Sequence, residues 1–484
     1  MIADRISQDL SGKKSQNDGG IKEYTHDPES FIGEKPSDST MTQETFGVKD
    51  FAIPDGTFWG WMCVFSYFMT SFICWGGNTA FSIYLSNYLQ HNTFHASAVD
   101  YAAIGGLAFG IGFVFAPVNT YLVGITSANF VVFLAGLFQF VALFTSSYCK
   151  EIWQLYLGQG ILMGFGLALV STPIPVIIPQ WFEKYRSRAL LLGASGTGLG
   201  GIMFNLAIQK IIEEWGVAWA RRIQSFMVIS VCTVCSLLIR TRNEKIKPEF
   251  KPLDTKILFS FPFIVMLLWL MFTMLAYVTT QYSMTNSTVA LGYTARQGSI
   301  TIVLFNVGAI IGRPSTGVIS DKFGPVTTAT FIYFFASLLC FAMWIPARNL
   351  PTMYVFGIVI GFIAGFVLGA LPAVVPRIVG LRKLQVAYGM AYSVLGASGV
   401  VSPVIGLSLR KHKEAPGQYT WVAMFAGLCF FMSGFWALVL RAYIIAKDKL
   451  TGFKNPDLGE DVQTKVPMAM VIENLFTVRH KQKV

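Results

Sequence analysis

The chain has 484 residues, of which 53% are apolar and 13% charged. Soluble domains carry about 25% charged residues, and apolar runs recur here from Trp59 to Ile445, each near the roughly 20 residues that a bilayer-crossing helix needs. These figures exclude a soluble enzyme, a nucleic-acid binder and a disordered regulator, and the net charge of +11 fits Lys and Arg in tails and short loops beside anionic lipid.

Residues 1–54 are rich in Ser, Asp, Glu, Lys and Gly and are expected to form a disordered cytosolic tail. No apolar core follows Met1 within the first 30 residues, so no cleavable signal peptide is expected there. The fold class predicted is an all-α polytopic membrane protein of about twelve helices in two six-helix halves. The spans expected in the first half, residues 55–240, are 59–87, 99–123, 128–147, 152–179, 188–212 and 219–239. Those in the second half, residues 258–446, are 258–285, 297–319, 325–346, 352–376, 385–409 and 419–445.

A basic linker over residues 241–257 joins the halves, and Arg242, Lys245, Lys247, Lys251 and Lys256 with the adjacent Arg240 mark it as cytosolic. An even span count then leaves both tails, including 447–484, in the cytosol. Lys184, Arg186 and Arg188, and likewise Arg377, Arg382 and Lys383, agree; Arg221, Arg222, Arg410, Lys411 and Lys413 do not. The seven cysteines sit in or beside apolar runs and suggest buried thiols, and the Cys232/Cys235 pair lies in an apolar helix with no nearby His.

Paired prolines near the cytosolic ends of spans four (STPIPVIIPQW, Ser171–Trp181) and ten (GALPAVVPR, Gly369–Arg377) suggest two related bends and an internal repeat. Polar side chains that could line a solute path are Asn78, Thr79, Asn205, Gln209, Gln281, Tyr282, Asn306 and Tyr392. The sequon at Asn286 lies too near the membrane to be expected in use.

Three motifs carry a family resemblance. Pro54–Trp61 reads PDGTFWGW, with Asp55, Gly56, Trp59, Gly60 and Trp61 at the start of span one. Gln180–Gly201 reads QWFEKYRSRALLLGASGTGLGG, with Trp181, Phe182, Arg186, Arg188, Gly193, Gly196 and Gly200 leading into span five. Its GxGxxG has no preceding strand and no acidic residue about 20 positions on, so it is not a dinucleotide site. Gly312–Pro325 reads GRPSTGVISDKFGP and supplies a gating loop of Gly317, Asp321, Lys322 and Gly324. The equivalent stretch Asn119–Asn129 has no charge, so a latch of this kind is expected on one side only. Together these motifs resemble those of the monocarboxylate transporter family within the major facilitator superfamily, and the polar tail and short central loop resemble a fungal branch.

The resemblance implies alternating access around a central site, with Arg313, which precedes Pro314 in span eight, as the substrate-binding cation. It also exposes two departures. The family's Asp one turn before that Arg is Ala309 here, with Asn306 the nearest polar residue, and its Lys in span one corresponds to Gly77-Asn78-Thr79. The titrating groups left for proton coupling are Asp100, His91 and His95. The functional expectation is a secondary active or facilitative transporter of a small organic solute, a monocarboxylate-type anion first, with or without a co-transported proton. A larger neutral or weakly anionic metabolite such as a vitamin is the alternative, and a non-transporting membrane sensor a third. No GxxxxGK[ST], HExxH or nucleophile motif appears in the spans; no catalysis, cofactor, metal or nucleic acid is expected, and an accessory protein is left open. The plasma membrane is the expected location, ahead of a vacuolar or other internal membrane.

Overall fold

The computed structural model describes residues 53–91, 94, 98–410, 417–450, 466–475 and 477. Most of the expected N-terminal tail, His95, Lys411, Lys413 and much of the C-terminal tail lie outside the described residues. Among the described residues, ten helices are long and apolar enough to span a bilayer: α1 Phe58–Gly76, α5 Ala128–Ser146, α6 Ile152–Gln180, α7 Arg186–Leu238, α8 Phe261–Ala290, α9 Ala295–Phe323, α10 Pro325–Trp344, α11 Leu350–Val379, α12 Leu384–Ser408 and α13 Thr420–Leu450. The bent pair α3 (Ala98–Val114) and α4 (Ala116–Ile125) makes an eleventh. Between α1 and α3 lies α2, Phe81–His91. A short α14, Met468–Glu473, packs on the end of α13.

Helix starts follow their capping residues. Thr57 accepts from the Gly60 amide, Ser127 from Phe130, Thr294 from Gln297 in a capping box, and Asn349 from Thr352. Three predicted spans differ. Residues 59–87 are not one helix: the Thr79 hydroxyl and amide both donate to the Gly76 carbonyl, which removes an acceptor from the helical ladder, and the chain turns before α2. Residues 99–123 bend by 51° around Phe115, two residues before Pro117, because proline lacks the amide that the ladder needs. The predicted bend of span ten lies at Gly365, with Pro372 and Pro376 inside the helical stretch that follows.

Helix α7 covers two predicted spans. Its 53 residues would measure about 80 Å as one straight rod at ~1.5 Å per residue, against a hydrocarbon layer of ~30 Å. It breaks at Gly216, whose φ of 81° and ψ of 169° lie outside helical space and suit glycine.

The buried apolar side chains form two large cores. One draws almost entirely on residues before Arg240, the other almost entirely on residues after it. Phe113, Ala116, Val176 and Leu191 belong to the later core, and Ala373 to the earlier, so the two interlock at their seam.

The loops expected in the cytosol gather at one end. Asp254 pairs with Lys383 at 3.8 Å, the Glu249 amide donates to the Arg382 carbonyl at 2.9 Å, and the Arg242 amide donates to Gln180 Oε1 at 2.9 Å. Partial burial pulls the Arg242 guanidinium below the usual arginine pKa. The cations that break the charge pattern are held by local contacts. Arg221 is buried, Arg222 lies over Tyr148 and Trp219, and Arg410 lies over Tyr419.

Candidate functional site

Arg313 sits on α9 and is 4% exposed. Its Nη1 donates to the Ala194 carbonyl of α7 at 2.6 Å, and its Nε has no hydrogen-bond partner among the described residues. Gly365, at the break in α11, gives it room, since a Cβ there would lie 2.9 Å from Nε. The guanidinium acts electrostatically on the hydroxyls of Tyr67 in α1 and Tyr392 in α12. Four helices from both cores thus converge on one charge. The Asp321 carboxylate lies instead on the Ser187 and Arg188 amides, and Ala309 is buried and offers no charge.

An aromatic wall extends from this point. Tyr392 packs on Tyr388 with centroids 4.4 Å apart and on Phe113 at 5.2 Å. Phe113 in turn meets Trp75 at 4.8 Å and Phe109 at 4.9 Å. The first two rings come from α12, the others from α1 and α3, so the wall crosses the seam. Sequence reasoning found Tyr392 but missed Tyr67, Trp75, Phe109, Phe113 and Tyr388. An aromatic side chain in an apolar helix carries no signal of its own; only the arginine opposite singles these out.

The remaining expected residues divide. Thr79 and Asn205 do meet, with Asn205 Nδ2 3.4 Å from Thr79 Oγ1 and 2.6 Å from the Gly201 carbonyl. Asn78, Asn306 and Gln281 are half-buried. Gln209 donates to Glu213 at 3.2 Å on an exposed face, and Tyr282 is 60% exposed, so neither reaches the Arg313 cluster. Asp100 lies 3.4 Å from the Tyr156 hydroxyl, in the earlier core's territory.

The loop expected to gate makes contacts different from the expected ones. Lys322 is exposed and lies over its neighbour Phe323. Asp321 instead reaches the first turn of α7, accepting from the Ser187 amide at 2.9 Å and the Arg188 amide at 3.1 Å, with Arg188 Nε at 3.7 Å. A carboxylate on unpaired amides at a helix N-terminus is favoured by hydrogen bonding and by the helix dipole. Gly317 permits the approach, since a Cβ there would lie 2.9 Å from the Arg188 Cα. Gly324 supplies the left-handed turn at φ 96°.

The first two motifs are one contact. Asp55 accepts from the amides of Glu183 at 2.8 Å and Lys184 at 3.1 Å. Trp61 meets Phe182 edge-on at 5.2 Å, Gly60 faces Phe182 and Trp181, and Arg240 covers Trp59. Arg186 Nε donates to the Phe182 carbonyl at 3.1 Å. Above them Gly193 faces the Tyr67 ring, while Gly196 and Gly200 abut the Phe68 and Phe72 carbonyls of α1. Gly56 takes a positive φ in the preceding turn. Cys232 pairs with Cys74, Sγ to Sγ 3.6 Å, rather than with Cys235, and both are free thiols.

With two interlocked cores, a charge at their seam and a latch at one end, the comparison with known proteins decides the family. The profile of the Major Facilitator Superfamily matches residues 63–403. The chain belongs to the Major Facilitator Superfamily. It is 40% identical to the "Probable transporter MCH2" of Saccharomyces cerevisiae over 404 residues, 82% of this chain and 85% of that one. Its fold matches the FucP transporter solved in the outward conformation, with TM-score 0.59 over 78% of this chain and 98% of that one, at 14% identity. It also matches the proton:xylose symporter XylE, with TM-score 0.62 over 84% and 99%, at 10% identity. The protein is therefore a multi-pass secondary transporter of a small solute working through the alternating-access fold of this superfamily, and not an enzyme.

Proposed function

We propose that this transporter carries a small organic anion of the monocarboxylate type, held by its carboxylate at Arg313. The observation that carries this reading is a guanidinium at the seam between the cores with an unpaired Nε and no carboxylate in contact among the described residues. Leaving a buried donor unpaired costs about 1–3 kcal/mol, and a carboxylate would satisfy it by a charge-assisted bond. Tyr67 and Tyr392 lie within electrostatic reach of that charge. A second reading, a larger neutral or weakly anionic metabolite, is favoured by the aromatic wall of Trp75, Phe109, Phe113, Tyr388 and Tyr392, which offers ring faces rather than charge.

Two observations support the rest of the reading, the break at Gly216 and the basic end of the bundle. Gly216 divides α7 into two spans, which gives twelve helices in two six-helix halves, at residues 55–240 and 258–446. The basic end faces the cytosol, both tails lie there, and the protein resides in the plasma membrane. The Asp321 latch keeps the cytosolic end shut and releases as α7 and α9 part. Thr79, Asn205, Asn78, Asn306 and Gln281 line the path on either side of the charge.

Uptake of a labelled solute panel into proteoliposomes, with and without a pH gradient, tests this. Monocarboxylate uptake that Arg313→Ala abolishes is the expected result. Uptake restricted to neutral solutes and indifferent to Arg313 would overturn the anion assignment and leave the family untouched. Binding without uptake would favour a sensor.

A further inference from the structure

The two adjacent arginines beyond Gly216 do opposite things. Arg222 faces outward, with its guanidinium 4.4 Å from the Tyr148 ring centroid and 5.2 Å from Trp219, and its Nε donates to Ser147 Oγ at 3.2 Å. Arg221 turns into the earlier core and is 3% exposed. Its Nη1 donates to the Ser146 carbonyl at the end of α5. Its guanidinium lies 5.0 Å from the Tyr88 centroid and 5.6 Å from Tyr84.

The unpaired groups on Arg221 and on the stacked tyrosines beside it can all donate. The Arg221 Nε and Nη2 have no hydrogen-bond partner among the described residues, and neither do the hydroxyls of Tyr88 and Tyr101, whose rings stack at 5.5 Å. Tyr84 is already committed. It donates to Gln224 Oε1 at 2.9 Å, and Gln224 Nε2 donates to the Gly77 carbonyl at 2.9 Å. The acidic neighbours look elsewhere, Asp100 toward Tyr156 and Glu213, two turns earlier on α7, toward Gln209.

An arginine does not shed its proton under these conditions. Ring faces weaken the cost of its charge but do not neutralise it, and water could satisfy the nitrogens without balancing the charge. A buried cation with unpaired N–H groups is stabilised by an anion that accepts from them. Tyr84, Tyr88, Tyr101 and Arg221 are each almost fully buried, so a guest here must be as small as a single atom rather than an organic molecule. We propose that Arg221, with the hydroxyls of Tyr88 and Tyr101, binds a small monovalent inorganic anion of the chloride class as a fixed counter-ion inside the first core, separate from the solute at Arg313.

The test uses the full-length purified protein in detergent. Thermal unfolding is followed as gluconate is replaced by chloride, bromide or acetate at constant ionic strength. The expected result is a saturable rise in Tm with chloride and bromide that gluconate does not give and that Arg221→Gln removes. Tyr101→Phe, which keeps the ring, should retain the fold and raise the half-saturating chloride concentration several-fold, so the proposal stays testable should Arg221→Gln fail to fold. A wild-type Tm indifferent to halide would overturn the proposal, as would an unchanged halide response in Arg221→Gln or in Tyr101→Phe. A rise with acetate but not with halide would also overturn it, and would assign the position to a carboxylate.

Discussion

Arg313 and Arg221 solve the same problem in two settings. Each is a buried guanidinium, each donates one bond to a helix carbonyl, Ala194 or Ser146, and each keeps at least one nitrogen unpaired. Arg221 is enclosed by side chains of a single core. Arg313 touches elements of both, so whatever it binds is felt by two bodies that can move. A charge enclosed by one core can only stabilise that core, whereas a charge at the seam can couple binding to the opening of the seam.

The strongest challenge to this contrast is Arg313→Ala. Monocarboxylate uptake should fall about a hundredfold, the loss of ~3 kcal/mol of charge-assisted bonding, while the Tm in detergent changes by a few degrees at most. A Tm collapse without solute would place Arg313 with Arg221 as a structural charge. Arg313→Lys sharpens the point. It keeps the charge but loses the planar fork, and uptake should drop by roughly tenfold, read as a lower kcat/KM. Asp321→Asn comes next. Weakening a carboxylate at a helix N-terminus costs ~1 kcal/mol, so the latch equilibrium should shift about fivefold, measured as faster labelling of a Ser320→Cys variant, a fully buried position beside the latch where the exchange is nearly isosteric. Labelling that is unchanged would remove the latch from the mechanism. Tyr392→Phe should have the smallest effect, a two- to threefold rise in KM of the order of one neutral hydrogen bond, with the aromatic wall intact.

Legibility in the sequence followed the same division. Most spans and the burial of a charge at Arg313 were readable because each stands out from apolar monotony: a run, a charge, a proline. The break at Gly216 was bracketed by the gap between the expected fifth and sixth spans, although nothing local says which of the α7 glycines turns and which pack. Gly196 and Gly200 meet carbonyls of α1 while Gly216 meets no atom that a Cβ would strike, a distinction held entirely in the partner helix. The latch was half-readable. Asp321 was recognised as its acid, but its partners are backbone amides of Ser187 and Arg188, and an amide has no letter in the sequence. Arg221 was set aside as a violation of the charge-orientation pattern, because exposure and burial look alike in a string of residues.

The seam of glycines between α1 and α7 has a bearing on how this protein tolerates change. At Gly196 and Gly200 a single methyl group would strike the Phe68 and Phe72 carbonyl oxygens, and backbone does not move aside as a side chain can. Tyr392 and Asn205, by contrast, make their contacts through side chains. In a saturation mutagenesis survey the darkest line of intolerance would therefore trace this two-helix seam rather than the solute site, and selection for a new substrate would find its freedom in the aromatic wall while the seam stayed silent.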